Sequence, residues 1–336
     1  MDWQSIKKII AGEPAFRYRQ IERAVFKEVI GIWSEASNLP KDLRERLQAA
    51  APLDLPAEFS GDLERGSLKA LMTLADGFKV ETVLMKLGQR YTVCVSSQVG
   101  CPLACRFCAT GQNGFKRNLS EAEIINQAIL WARYLKARGA AIDNLVFMGM
   151  GEPFLNYENV LAAIKFLNSQ DSLNIGARKI SISTVGIIEG IKRLAKESLQ
   201  LNLAISLHAP NDKLRSSLIP SNRKYPIKKI LAAVDDYIET TGRKVMFEYI
   251  LIKGVNDSEV EARALAGLMH RPLYMVNLIA YNPTATFQAP SVQAVDKFKD
   301  ILIAQKINVT VRRSFGQEIA AACGQLAGQK NDAALI

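Results

Sequence analysis

The chain of 336 residues has no long apolar run: nothing approaches the ~20 uninterrupted hydrophobic residues that a membrane-spanning helix needs. Its first residues, MDWQSIKKIIAGEPAF, lack the apolar stretch and small-residue cleavage site of a secretory leader. No internal repeat or low-complexity tract interrupts it. Histidine is scarce, with only His208 and His270. Cysteine is scarce too: there are five, an odd number, and four of them fall between Cys94 and Cys108. That crowding does not suit a disulfide framework in a chain this long, and points to thiols kept reduced for metal binding or catalysis. Together these absences leave a globular protein with a cytoplasmic location as the expectation, and 49% hydrophobic and 23% charged residues agree with it.

The charge is not balanced. Lysine and arginine number 43 against 33 acidic residues, a net +10. Residues 1–60 are neutral, so the whole excess lies in 61–336. A basic body of this kind suits a polyanionic partner such as nucleic acid, although a merely basic soluble protein has the same balance.

Residues 3–50 read as short amphipathic helices, and APLDLPAEFSGD reads as a connector. LKALMTLADGFKVETVLMKL is a hairpin candidate that turns at Asp76-Gly77. From residue 87 strand-like and helical patterns alternate. Six apolar runs (YTVCVSS, NLVFMGM, RKISIST, LNLAISLH, KVMFEYILI and YMVNLIAYN) are separated by amphipathic segments, and a last helix leads to NVTVRRSF. This order predicts an α/β fold, a partial (β/α)6 barrel of parallel strands with right-handed crossovers. The expected organisation is a helical and hairpin region over 1–86, the barrel over 87–318, and a C-terminal segment over 319–336.

VGCPLACRFCATG places Cys101, Cys105 and Cys108 at C-x3-C-x2-C spacing. Three thiolates on one short loop can hold three corners of a 4Fe–4S cluster and leave the fourth iron open. A zinc knuckle with Cys94 as fourth ligand is the alternative, but zinc sites usually bring paired C-x2-C or C-x2-H ligands. One β/α unit later, GMGEP supplies Gly149, Gly151, Glu152 and Pro153 at a strand's carboxyl end, where glycine lets backbone approach a ligand. Ser183, Ser206, His208 and Asn282 stand at later strand ends, as barrel-site residues do, or as turn and capping residues do.

These motifs, with FRYRQI, NLPKDLRERL, VETV, STVG, SLHAPND, FEYILIKGVND, NLIAYNP and AACGQLAG in order, resemble the bacterial radical-SAM ribosomal RNA adenine methyltransferases over nearly the whole chain. The resemblance implies a 4Fe–4S cluster on Cys101, Cys105 and Cys108. It implies S-adenosylmethionine, two molecules per turnover, held by Gly151, Glu152, Ser183, Ser206, Leu207, His208 and Asn282. Its expected substrates are an adenosine of 23S rRNA in the peptidyl transferase centre and an adenosine beside the anticodon of tRNA, both methylated at C2. An electron donor such as flavodoxin is expected as a further partner. Adenine C2 is too electron-poor to take a methyl from a sulfonium directly, whereas a thiolate accepts one readily. In the family pattern Cys323 is therefore methylated first. A 5′-deoxyadenosyl radical then removes hydrogen from that methyl, and the carbon radical adds to the base. Glu81 matches the proton acceptor, and Cys94 matches the thiol that frees the product by a transient disulfide with Cys323. Read from the residues alone, Cys94 is equally a buried strand cysteine, Cys323 a small residue among alanines and Glu81 a hairpin carboxylate. C8 methylation of the same rRNA adenosine, or a radical-SAM reaction on another substrate, remains the alternative.

Phe315, Glu318 and Ser221 depart from the family pattern, at positions that more often hold arginine, aspartate and an aliphatic residue. Lys116, Arg117, Arg223, Lys224, Arg312 and Arg313 are candidate phosphate contacts.

Overall fold

A computed structural model describes residues 1, 3–284, 287–312 and 316–327, with Gln4 in its backbone only. Arg313, Phe315 and the chain after Ala327 lie outside the described residues.

Three short helices, α1 (Trp3–Ile9), α2 (Ala15–Glu22) and α3 (Lys41–Ala50), open the chain. They pack their apolar sides, including Ile6, Ile21 and Leu43, into the main core, as does Trp33 from the turn between α2 and α3. Strands β1 (Ala57–Asp62), β2 (Ser67–Thr73) and β3 (Lys79–Leu87) form an antiparallel meander. The β2–β3 hairpin and its Asp76-Gly77 turn stand where the sequence places them. The stretch read as a connector contains β1, an edge strand whose residues after Ala57 are exposed, so it carries no apolar alternation to announce it.

A two-residue turn joins β3 to β4 (Arg90–Cys94), with Leu87 opposite Arg90. The expected 86/87 boundary is therefore no break: the meander and the barrel share one ten-stranded sheet. Beyond β4 the chain makes the small hairpin of β5 (Gln98–Gly100) and β6 (Phe115–Asn118), with the four-residue helix α4 (Ala109–Gln112) between them.

Regular units follow: α5 (Glu121–Lys136), β7 (Asn144–Phe147), α6 (Tyr157–Asn168), β8 (Ile180–Thr184), α7 (Ile188–Leu194) and β9 (Asn202–Ser206). After them come α8 (Asp212–Leu218), α9 (Ile227–Thr241), β10 (Val245–Leu251), α10 (Glu259–Leu268), β11 (Tyr274–Ala280), α11 (Val292–Ala304) and β12 (Val309–Arg312). Local chemistry sets the helix ends. The Ser120 hydroxyl and the Glu123 carboxylate reciprocally cap α5, and Gly242, at φ 65°, stops α9.

Strands β4, β7, β8, β9, β10, β11 and β12 are successively parallel, so the six expected β/α units are present and β12 extends the array by one strand. Central strands such as β10 are buried almost end to end, as parallel strands covered on both faces are, whereas β12 at the edge is partly exposed. Among the described residues no helix is long and apolar enough to cross a membrane.

Candidate active site

The carboxyl ends of the parallel strands surround a cleft of about 130 Å³. Its floor is the loop after β5. Gly100 has a φ of 75°, and a Cβ there would stand 1.9 Å from the Gly114 carbonyl, so only glycine lets β5 and β6 close behind the loop. Cys101 N–H donates to that same carbonyl. Cys105 is buried against Phe107, Leu218, Ile219, Ile250, Ile252 and Tyr281, an apolar shell at the loop's back. Cys101, Cys105 and Cys108 all line the cleft, and all five cysteines are free thiols. Burial pushes the Cys101 thiol up to about 12 and Cys105 well above its usual range. A positive centre is needed to hold them as thiolates.

The Gly-Glu-Pro turn forms one wall. Gly149 and Gly151 lie against the chain after β4: a Cβ on Gly149 would meet Val95 O at 2.7 Å, and one on Gly151 would meet Gln98 Cβ at 2.6 Å. Glu152 is buried, its carboxylate accepting from Phe154 N at 3.0 Å and from Val185 N at 2.9 Å. Burial raises its carboxyl to about 7, against the pull of these N–H donors. Across the cleft, Ser183 Oγ and Ser206 Oγ are 3.3 Å apart.

His208 holds a left-handed φ of 59° and meets the Phe107 ring edge-on at 4.8 Å. Its Nδ1 accepts from Ile250 N at 3.1 Å, which places the ring proton of the neutral form on Nε2. Burial, then the nearby Arg215, lowers its pKa to about 3. The ring is therefore neutral at ordinary pH.

The C-terminal segment closes the cleft. Ala109 N donates to Gly324 O, Thr110 Oγ1 to Leu326 O and Asn113 Nδ2 to Ala327 O, so α4 holds this segment from one side. Asn282 Nδ2 donates to Cys323 O at 3.0 Å, and Gln317 Nε2 to Asn282 Oδ1 at 2.7 Å. Cys323 lines the cleft and also a second cavity of about 30 Å³, whose walls include Cys94, Met148 and Arg312. That second space has room for about one or two waters. Burial raises both thiols, Cys94 to about 12, and Arg312 opposes the shift at each.

Of the residues read from the sequence, the cleft thus gathers Cys101, Cys105, Cys108, Gly151, Glu152, Ser183, Ser206, His208 and Cys323. Cys94 borders the adjoining cavity only. Leu207, Asn282 and Glu81 line neither. Leu207 is fully buried, its N–H donating to Glu248 O and its carbonyl accepting from Arg215 Nε. Glu81 is buried in an ion pair with Lys69 at 2.7 Å. Among the candidate phosphate contacts, Arg117 is committed to Asp76 and Glu123, and Arg312 faces the cleft; Lys116, Arg223 and Lys224 are exposed.

Sequence reading missed two charged residues, Arg215 and Glu248, and read a third, Arg312, only as a phosphate contact. Arg215 is fully buried behind the cleft and donates to Leu207 O, Asn222 Oδ1, Tyr225 O, Val185 O and Ser206 O. Glu248 lines the cleft with one oxygen, Oε1, lacking a hydrogen-bond partner. Arg312 lines it too, donating to Met148 Sδ at 3.2 Å. The signal for Glu248 was present: a carboxylate in the middle of VMFEYIL must be buried with the strand.

The loop suits an iron–sulfur cluster better than one metal ion. Among the described residues no three His, Cys, Asp or Glu side chains gather closely enough to hold a single ion, whereas a cluster spreads three cysteines over three separate irons. The apolar backing of Cys105 and the orphaned Glu248 oxygen fit a bound group that fills the cleft and brings donors of its own.

Comparison with known proteins agrees. Residues 95–265, half of the chain, match the Radical SAM superfamily. A probable dual-specificity RNA methyltransferase RlmN of Dictyoglomus thermophilum is 46% identical over 329 residues, covering 97% of this chain and 94% of the relative. One from Chloroflexus aurantiacus is 47% identical over 332 residues, covering 95% and 88%. The chain belongs to the RlmN family of radical SAM RNA methyltransferases. The crystal structure of a radical SAM methyltransferase from Sphaerobacter thermophilus superimposes with a TM-score of 0.91 at 43% identity, covering 98% of each chain. In this RlmN-family chain the superfamily match implies S-adenosylmethionine and a 4Fe–4S cluster.

Proposed function

We propose that this RlmN-family chain methylates C2 of an adenosine in the peptidyl transferase centre of 23S rRNA and C2 of an adenosine next to the anticodon in tRNAs, within the reducing cytoplasm. The relatives' dual-specificity naming supports RNA as substrate, and the basic excess of residues 61–336 suits it. The observation that carries the reading is the placement of Cys323. It shares one cleft with the three loop cysteines and the Gly-Glu-Pro turn, and a second cavity with Cys94.

When bound, a 4Fe–4S cluster supplies the electron that splits S-adenosylmethionine, and two molecules of the latter are used per turnover. Cys101, Cys105 and Cys108 would each hold one iron. Gly151, Glu152, Ser183, Ser206 and His208 would hold the cofactor's methionyl and ribose groups, with Leu207 and Asn282 acting through backbone and loop placement. Cys323 accepts a methyl group as a thiolate, and Arg312 is the cation beside it. Glu81 takes the proton displaced from the base. Cys94 then attacks the Cys323 sulfur: a disulfide forms, the sulfur–carbon bond breaks, and its electron pair leaves with the carbon, which is protonated to the product methyl. A flavodoxin-type donor supplies the electrons.

The test is the mass of the Cys323 peptide from protein produced with an intact cluster. A methyl group on that peptide, absent from a Cys101→Ala variant, supports the carrier role. An unmodified Cys323 in protein that turns over would contradict it.

A further inference from the structure

Lys69 is a buried lysine in the middle of SLKALMT. Its partner Glu81 lies diagonally across the β2–β3 hairpin, since Lys69 stands opposite Val83 and Glu81 two residues away on the same face. Their side chains are 5% and 1% exposed, and Nζ meets Glu81 Oε1 at 2.7 Å. The pair does not end there. Lys69 Nζ also donates, at 3.5 Å, to the carbonyl of Ala320. Glu81 Oε2 accepts from the backbone N–H of Ala327 at 2.5 Å. Ala320 and Ala327 bracket the stretch that carries Cys323, so one buried ion pair holds both of its ends. The approach to this clasp is shaped for it: a Cβ on Gly316 would stand 2.7 Å from Ser67 Oγ, and one on Gly61 2.5 Å from Ile319 Cδ1.

We propose that the Lys69–Glu81 pair is a clasp that sets the Cys323 loop, and that Lys69 is a positioning residue for the reaction. Glu81 then has two tasks that exclude each other at one oxygen. While Oε2 holds Ala327 N–H, the loop is seated with Cys323 in the cleft. That oxygen becomes available as a proton acceptor only when the loop's far end lets go. Lys69 keeps the carboxylate in place through both states, because Oε1 stays paired. The purpose assigned to the clasp rests on the methyl-carrier reading of Cys323; the clasp itself does not.

The experiment uses reconstituted holoenzyme, without RNA, and two readouts: amide hydrogen exchange of residues 316–327 and iodoacetamide alkylation of Cys323. In Lys69→Met both rise about tenfold or more, the scale of losing one charge-assisted hydrogen bond, while exchange in the hairpin 67–87 and the iron content stay at parental values. Lys69→Arg restores most of the protection. Parental exchange over 316–327 in Lys69→Met would overturn the clasp. So would a rise of equal size throughout the hairpin, the mark of a lysine that serves stability alone. If Lys69→Met is not recovered folded, Glu81→Gln replaces it: a tenfold rise supports the clasp and a parental rate overturns it. Neither readout requires turnover, so a failed clasp leaves the RNA methyltransferase reading intact, and the converse also holds.

Discussion

Removing the guanidinium of Arg215 is the most severe single change that the structure predicts outside the cysteines. The side chain is fully buried and makes five hydrogen bonds of 2.6–3.1 Å, four of them to carbonyls and none to a carboxylate. Three of those carbonyls, on Val185, Ser206 and Leu207, follow β8 or end β9, where the cleft wall forms. Arg215→Met strands these acceptors in a dry interior, at about 1–3 kcal/mol for each that finds no new donor. Against this, methionine relieves the desolvation of a cation that burial already weakens, its pKa drawn down to about 10. With water reaching some acceptors, the net loss is about 3 kcal/mol, a fall in melting temperature on the order of 5–10 °C. Arg215→Lys recovers little, because one ammonium cannot span the fan of acceptors that a planar guanidinium reaches. The assay pairs thermal unfolding with S-adenosylmethionine binding, and both should weaken. A variant as stable as the parent, binding the cofactor as tightly, would refute the role given to Arg215.

Other expectations follow from buried groups of the cleft. Because burial raises Glu152 to about 7 from 4.5, the folded state binds its proton more tightly than the unfolded chain. Its contribution is full below pH 4.5 and is lost as pH rises through about 7, so cofactor-free protein loses up to about 3 kcal/mol over that window, and Glu152→Gln flattens the profile. His208 stays neutral with the proton on Nε2 from pH 5 to 8, which nitrogen chemical shifts report; a titration midpoint above 5 contradicts the geometry. Cys94→Ala accumulates a covalent protein–RNA adduct, seen as a shifted band on denaturing gels, and clean release of methylated RNA would remove Cys94 from the product-release step.

The parallel strands were legible because buried strands alternate with amphipathic helices at regular spacing, and the cysteine loop was legible because its spacing is rare. The β5–β6 hairpin was not: strands of three and four residues carry no periodic signal, and their pairing depends on Gly100 meeting Gly114. Arg215 and Lys69 were illegible for another reason. A charge in a sequence says nothing of whether carbonyls or a carboxylate await it in the interior, and Arg215 sits in an unremarkable DKLRSSL helix. In the sequence the C-terminal segment shows only Cys323 among small residues, with no sign of what holds it. The structure ties it to α4, Asn282, Lys69 and Glu81, since small residues such as Ala320–Ala322 leave backbone groups open to side-chain partners from several elements.

The central claim is that Cys323 delivers a methyl group to adenine C2. The most direct measurement is anaerobic methylation of 23S rRNA and tRNA by reconstituted protein, followed by nucleoside mass spectrometry, with Cys323→Ala in parallel. The account predicts 2-methyladenosine from the parent and none from Cys323→Ala. Formation of 8-methyladenosine, or methylation at the parental rate by Cys323→Ala, would contradict it.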